Sequence, residues 1–118
     1  MINFRFEGRR FDRGRCLVPA WWFYEYRGAK AMKEKWKFTK NGDEWFCFAG
    51  LWRPASEVGP EAFTLLTSEP GPDVAPIHNR QMIVLDRKDW AAWLDSTKPE
   101  RELLRALREG SLQAERVR

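Results

Sequence analysis

Trp36-Lys37-Phe38-Thr39-Lys40-Asn41-Gly42-Asp43-Glu44-Trp45-Phe46-Cys47-Phe48-Ala49-Gly50-Leu51 is the stretch whose reading decides the fold. Its first four residues alternate apolar and polar side chains, and in an extended backbone alternate side chains point to opposite faces. Asn41-Gly42-Asp43 supplies turn chemistry, and Glu44 to Leu51 resumes an apolar run. Strand, turn and strand in succession predict a β-hairpin and a β-rich fold around it.

Working outward, Arg15-Cys16-Leu17-Val18-Pro19-Ala20 and Trp22-Phe23-Tyr24-Glu25-Tyr26 are rich in aromatic and β-branched residues without helical spacing. They read as two short strands, the second ended by Gly28. On the other side, Pro54 to Pro60 reads as a loop or short helical turn. Phe63-Thr64-Leu65-Leu66-Thr67 reads as a strand closed by Glu69-Pro70-Gly71-Pro72. An irregular segment, Val74 to Arg80, precedes a buried strand at Met82-Ile83-Val84-Leu85. Asp86 has the look of a helix cap, with Trp90, Trp93 and Leu94 at i, i+3, i+4 spacing on one face. A second helix is signalled by Thr97-Lys98-Pro99-Glu100, continues through Leu103, Leu104 and Leu107 and ends at Gly110. The polar residues 111–118 are expected to fray. The expected architecture over residues 1–118 is a single α+β domain, a mainly antiparallel sheet or partial barrel with two late helices.

A chain of 118 residues with 43% hydrophobic residues has the size of one globular domain. Its longest apolar runs fall far short of the roughly 20 residues that cross a bilayer, so a soluble, cytoplasmic protein is expected. Cys16 and Cys47 sit inside apolar segments rather than in a CxxC pair, which argues for packing over zinc binding or a disulfide framework. No cofactor or metal is expected. The formal net charge is +4 and the pI about 9.3. Residues 1–15 hold five arginines against two acidic residues. That stretch suits a phosphate-binding surface, and an ordinary solvated segment fits the charge equally well.

Aromatic residues make up 14% of the chain. Interleaved with arginines they are what a single-strand binding groove uses to stack bases, although most must fill the core and only one or two should face a ligand. His78, the single histidine, lies in the irregular segment between Pro76 and Arg80. Taken alone it fits a structural or exposed residue as well as a proton carrier. Glu25 stands inside an aromatic run, on the opposite parity from Trp22, Tyr24 and Tyr26. It either faces solvent or lines a cleft with a raised pKa.

Several segments, in one order, resemble the SOS response-associated peptidase (SRAP) family: Ile2-Asn3-Phe4-Arg5-Phe6-Glu7, Arg15 to Ala20, Phe23-Tyr24-Glu25-Tyr26, Phe48-Ala49-Gly50-Leu51-Trp52, Phe63 to Thr67, and Ala75-Pro76-Ile77-His78-Asn79-Arg80-Gln81-Met82. The tryptophan-bearing helix after Asp86 also falls where the family has one, so the resemblance spans roughly residues 2 to 95. It implies abasic-site processing in single-stranded DNA in the DNA damage response. In that family an N-terminal cysteine condenses with the abasic aldehyde to a stable thiazolidine, and its peptidase activity is self-removal of a short leader. By motif, Asn3 would position the reacting amine or sugar, Glu25 would serve imine formation as acid/base, and His78 would move a proton during sugar-ring opening. Arg5 and Arg80 would bind phosphate near the lesion.

The sequence departs from the family in starting Met1-Ile2-Asn3, without that cysteine; an internal cysteine has no α-amine to close the ring. Three readings follow. The nucleophile comes from a second polypeptide, with a partner or homodimer covering exposed sheet edges. Alternatively the Met1 α-amine forms a transient imine. In the third, the chain is a non-catalytic single-stranded DNA-binding module or an inactive remnant.

Overall fold

In the computed structural model the described residues are 14–55, 57 and 59–118, together with the backbone of 4–5. Among them the strands run β1 (Phe4–Arg5), β2 (Arg15–Ala20), β3 (Phe23–Arg27), β4 (Glu34–Lys40), β5 (Phe46–Arg53), β6 (Ala62–Ser68), β7 (Gln81–Met82), β8 (Val84–Leu85) and β9 (Leu112–Arg116). A 3-10 turn at Arg87–Asp89 leads into helix α1 (Trp90–Asp95), and α2 covers Glu100–Leu103.

These elements form two sheets. The larger has the order β1-β6-β5-β2, with β7 on β6 and β8 on β5; the smaller is β3-β4-β9. All pairings are antiparallel except β1 with β6. This is the expected α+β, mainly antiparallel class, in open sheets rather than a closed barrel.

The hairpin expected at residues 36–51 is corrected. Both strands form, and Gly42 takes the positive φ of the turn. However, β4 pairs with β3 and β9, while β5 pairs with β2, β6 and β8. The inward residues of both strands are large aromatics, and burying them against each other places the two strands in facing sheets rather than side by side. Phe23 lies 5.0 Å from Phe38 within the small sheet and meets Phe46 and Phe48 of the large one edge-on. Residues 41–45 therefore turn a corner between layers. Lys40 bonds Asp43 at 2.6 Å, and Trp45 packs on Trp90 with the Arg87 guanidinium over both rings.

One core, built on Phe23, Phe38, Phe46, Phe48, Leu65, Val74 and Ile77, fills the space between the sheets. A second, with Ala49, Leu66, Ile83, Leu85, Trp93 and Leu104, lies between the large sheet and the helical segment. Adjacent residues of β5 and β6 thus feed opposite cores, as two-residue periodicity requires of a central strand buried on both faces.

The late helices differ from expectation in detail. Trp93 is fully buried, whereas Leu94 is exposed. Neither Asp86 nor the residues before α2 make a side-chain capping bond. Glu100 is drawn away to the Arg15 guanidinium at 2.8 Å, which also donates to the Trp93 carbonyl and lies over the Trp93 ring. This buried ion pair takes Arg15 out of the surface that the arginine-rich opening suggested. The second helix ends at Leu103 rather than Gly110, because Leu104 leaves helical geometry to stay in the core.

Residues 111–118 do not fray: Leu112–Arg116 pairs with β4 along its length. Their polarity reflects an edge strand of which only Leu112 is buried. Asp73 fixes the start of that strand, its carboxylate accepting from the backbone N–H groups of Gly110 and Leu112 at 2.9 Å each. The buried strand expected at Met82–Leu85 is split at Ile83, whose N–H bonds to Leu66 and whose carbonyl accepts from Ala49.

Candidate active site

The stacking of Phe23 on Phe38 fixes the parity of β3, and with it the direction of Glu25. Residues 23 and 25 share the inner face; Tyr24 and Tyr26 take the outer one. Glu25 emerges where the aromatic core ends, its side chain 18% exposed. Partial burial pushes its carboxyl above the usual range, opposed in part by the charge of His78. Of the two environments the sequence left open for Glu25, partial burial with a raised pKa is the one observed.

His78 reaches this carboxylate from a loop that the sequence alone left irregular. Val74 and Ile77 anchor the loop in the inter-sheet core, and backbone bonds from Ala75 to Gly71 and from His78 to Val74 wind it into consecutive turns. The imidazole Nδ1 lies 3.0 Å from Glu25 Oε2, 2.9 Å from the Arg80 carbonyl and 3.2 Å from the Arg80 N–H. One ring nitrogen cannot serve all three at once. A protonated Nδ1 donates to the carboxylate or the carbonyl; a bare Nδ1 accepts from the Arg80 N–H, and then only a protonated Glu25 can share it. The two groups are therefore placed to exchange one proton. The His78 side chain is 37% exposed, and no hydrogen bond among the described residues engages its Nε2.

Arg80 extends the cluster. Its Nη2 donates to Thr67 Oγ1 at 3.1 Å, and Thr67 stands opposite Arg5 in the parallel β1–β6 register. The fold thus brings Glu25, His78 and Arg80 together and runs the backbone of Arg5 beside them. The Arg5 side chain, Asn3 and Met1 lie outside the described residues. Thr67 was missed as a site residue. Its signal in the sequence is its place at the end of the Phe63–Thr67 segment on the parity of Leu65, which the register of β6 turns toward Arg80.

Cys16 is half-buried and Cys47 buried, and burial raises both thiols, in keeping with packing roles. Among the described residues no group of three or more His, Cys, Asp or Glu is placed to hold a metal ion. None of their helices is long and apolar enough to cross a membrane.

Residues 5–118 match the family model described as SOS response associated peptidase (SRAP). The chain belongs to the SRAP family. No curated protein matches it. Among solved structures, a protein from Bacteroides thetaiotaomicron superposes with a TM-score of 0.82 at 22% identity, covering 98% of this chain and 58% of that one. One from Bordetella bronchiseptica gives 0.72 at 23%, covering 89% and 55%. A phage-related protein from the same organism gives 0.73 at 27%, covering 100% and 64%. These likenesses establish the SRAP fold, and the chain spans less than two thirds of the length of each.

Proposed function

We propose that this SRAP chain carries the proton-transfer and phosphate-binding part of a site that captures abasic-site aldehydes in single-stranded DNA. The observation that carries the reading is the 3.0 Å contact between Glu25, a partly buried carboxyl raised above its usual range, and His78, a half-exposed imidazole. Capture begins when an amine adds to the aldehyde carbon; the resulting carbinolamine loses water to give an imine, and the departing hydroxyl needs a proton. Glu25 supplies it. His78 moves a proton as the sugar ring opens to expose the aldehyde, and its contact with Glu25 lets the pair reset after each transfer. Arg5 and Arg80 bind the flanking phosphates, and Asn3 positions the amine.

The nucleophile in this reading is either the Met1 α-amine or an N-terminal cysteine on a second polypeptide, whose thiol adds to the imine carbon and closes a thiazolidine. Denaturing gels of the purified chain with single-stranded DNA carrying one abasic site separate the two. A band shift that requires borohydride marks the imine of Met1. A shift that needs an added N-terminal-cysteine peptide, formed faster with the chain than without it, marks the second route. In either case Glu25→Gln and His78→Ala each slow adduct formation by about 100-fold, the usual scale of acid–base assistance. Adduct yields unchanged by both substitutions would sink the proposal.

A further inference from the structure

β3 has a second face that the site does not use. Trp22, just before the strand, and Tyr24 and Tyr26 within it project from the outer side of the small sheet, exposed by 47%, 37% and 39%. Soluble proteins seldom line up three large rings in water without a purpose for them. The neighbouring strand supplies a matching row of charge. Lys37 stands opposite Tyr24 and Lys35 opposite Tyr26, and each ammonium reaches diagonally to the next ring. Lys37 Nζ lies 4.3 Å from the Trp22 ring centre, Lys35 Nζ 4.1 Å from that of Tyr24 and Lys33 Nζ 5.8 Å from that of Tyr26. The Arg118 guanidinium closes the row, 5.9 Å from Tyr26. Opposing this, β9 contributes one carboxylate to the same face, Glu115, opposite Lys37.

We propose that this outer face is a lesion-independent track for single-stranded nucleic acid, with bases stacked on Trp22 and Tyr24 and phosphates held by Lys35 and Lys37. Alternate strand residues are spaced by about 6.6 Å, an interval that an unstacked polynucleotide can follow. Rings give sequence-tolerant stacking and the cations follow the backbone, which is the division of labour that single-strand binding requires. The charge complementarity is specific to a polyanion; a second copy of a chain with a formal net charge of +4 would bring lysine against lysine. In the small sheet β3 is an edge strand, as β9 is on the other side. A strand lying over the outer face therefore has only to pass the β3 edge to reach Glu25 on the inner one. The inference extends the reading above but does not depend on abasic chemistry.

The test is fluorescence anisotropy of a labelled, undamaged oligo-dT strand of about 20 nucleotides with the intact chain over a salt series. The Lys35→Gln/Lys37→Gln double variant should bind at least tenfold more weakly at low salt. Its log–log salt slope should fall by about 1.4, since each phosphate contact on a single strand contributes roughly 0.7. Trp22→Leu should weaken binding about tenfold and leave the slope unchanged, with Trp22→Phe restoring most of it. Circular dichroism of each variant establishes that it folds. The proposal is overturned if the parent chain does not bind, if the variants bind like the parent, or if sedimentation shows that they lose self-association instead. If the parent chain binds the undamaged strand, the outer-face variants lose that binding and no abasic adduct forms, the track stands while the capture reading falls; adduct formation with binding unchanged by those substitutions would do the opposite.

Discussion

At the residue scale, Glu25 is the group whose environment has most to say. Its raised pKa keeps more of the carboxyl protonated near neutrality, so a step in which it donates a proton is favoured below that pKa and fades as pH rises through it. The attacking α-amine works in the other direction, gaining its neutral form as pH approaches roughly 8. Imine formation should therefore follow a bell-shaped pH profile. Glu25→Gln should remove the alkaline-falling limb assigned to the carboxyl while leaving the amine's rise in place, which initial rates from pH 5 to 9 will show. A profile with both limbs intact in the variant would assign the acid elsewhere. The alternation of Trp22 to Tyr26 was legible in the sequence, but its direction was not. Parity separates two faces without saying which one faces inward; that was settled by Phe23, which stacks on Phe38 across β4.

At the scale of elements, the sequence showed most strands and hid how they associate. Local pattern reports whether a segment is extended, but pairing is decided by partners far along the chain. Residues 111–118 illustrate the limit. Five consecutive residues with four exposed side chains carry no burial signal, yet β4 offers them a complete ladder of backbone partners, and Asp73 fixes the register. Asp73→Ala should remove both anchoring bonds and destabilise the strand by about 2 kcal/mol, within the usual range for hydrogen bonds to a charged group. Amide exchange should then accelerate at Leu112 to Arg116 well before it does in β5. Uniform acceleration across both sheets would mean that Asp73 supports the whole fold rather than this strand. Helix α2 failed in the opposite sense: its leucines promised a longer helix, but Leu104 leaves helical geometry to take its place in the core.

At the scale of the whole molecule, the candidate site depends on both sheets. Glu25 belongs to the small one, Thr67 to the large one, and His78 to the loop anchored between them. Phe38, fully buried, stacks on Phe23, the ring that meets Phe46 and Phe48 of the facing sheet. Phe38→Ala should lower unfolding free energy by about 3 to 5 kcal/mol, measured by urea denaturation. In the fraction that remains folded, adduct formation should fall with it, because the distance from Glu25 to His78 is set by that packing. Full activity per folded molecule would show that the loop holds His78 without help from the small sheet. The membership of β4 in one sheet and β5 in the other also has a consequence in time. As the polypeptide leaves the ribosome, β2, β5 and β6 can assemble early, whereas the third strand of the other layer pairs Trp36 with Arg116, some eighty residues downstream. Closing so long a loop is slow compared with local pairing. The layer that presents Glu25 is therefore completed only once residues 112–116 are in place, later than the pairing of β2, β5 and β6 in the facing sheet.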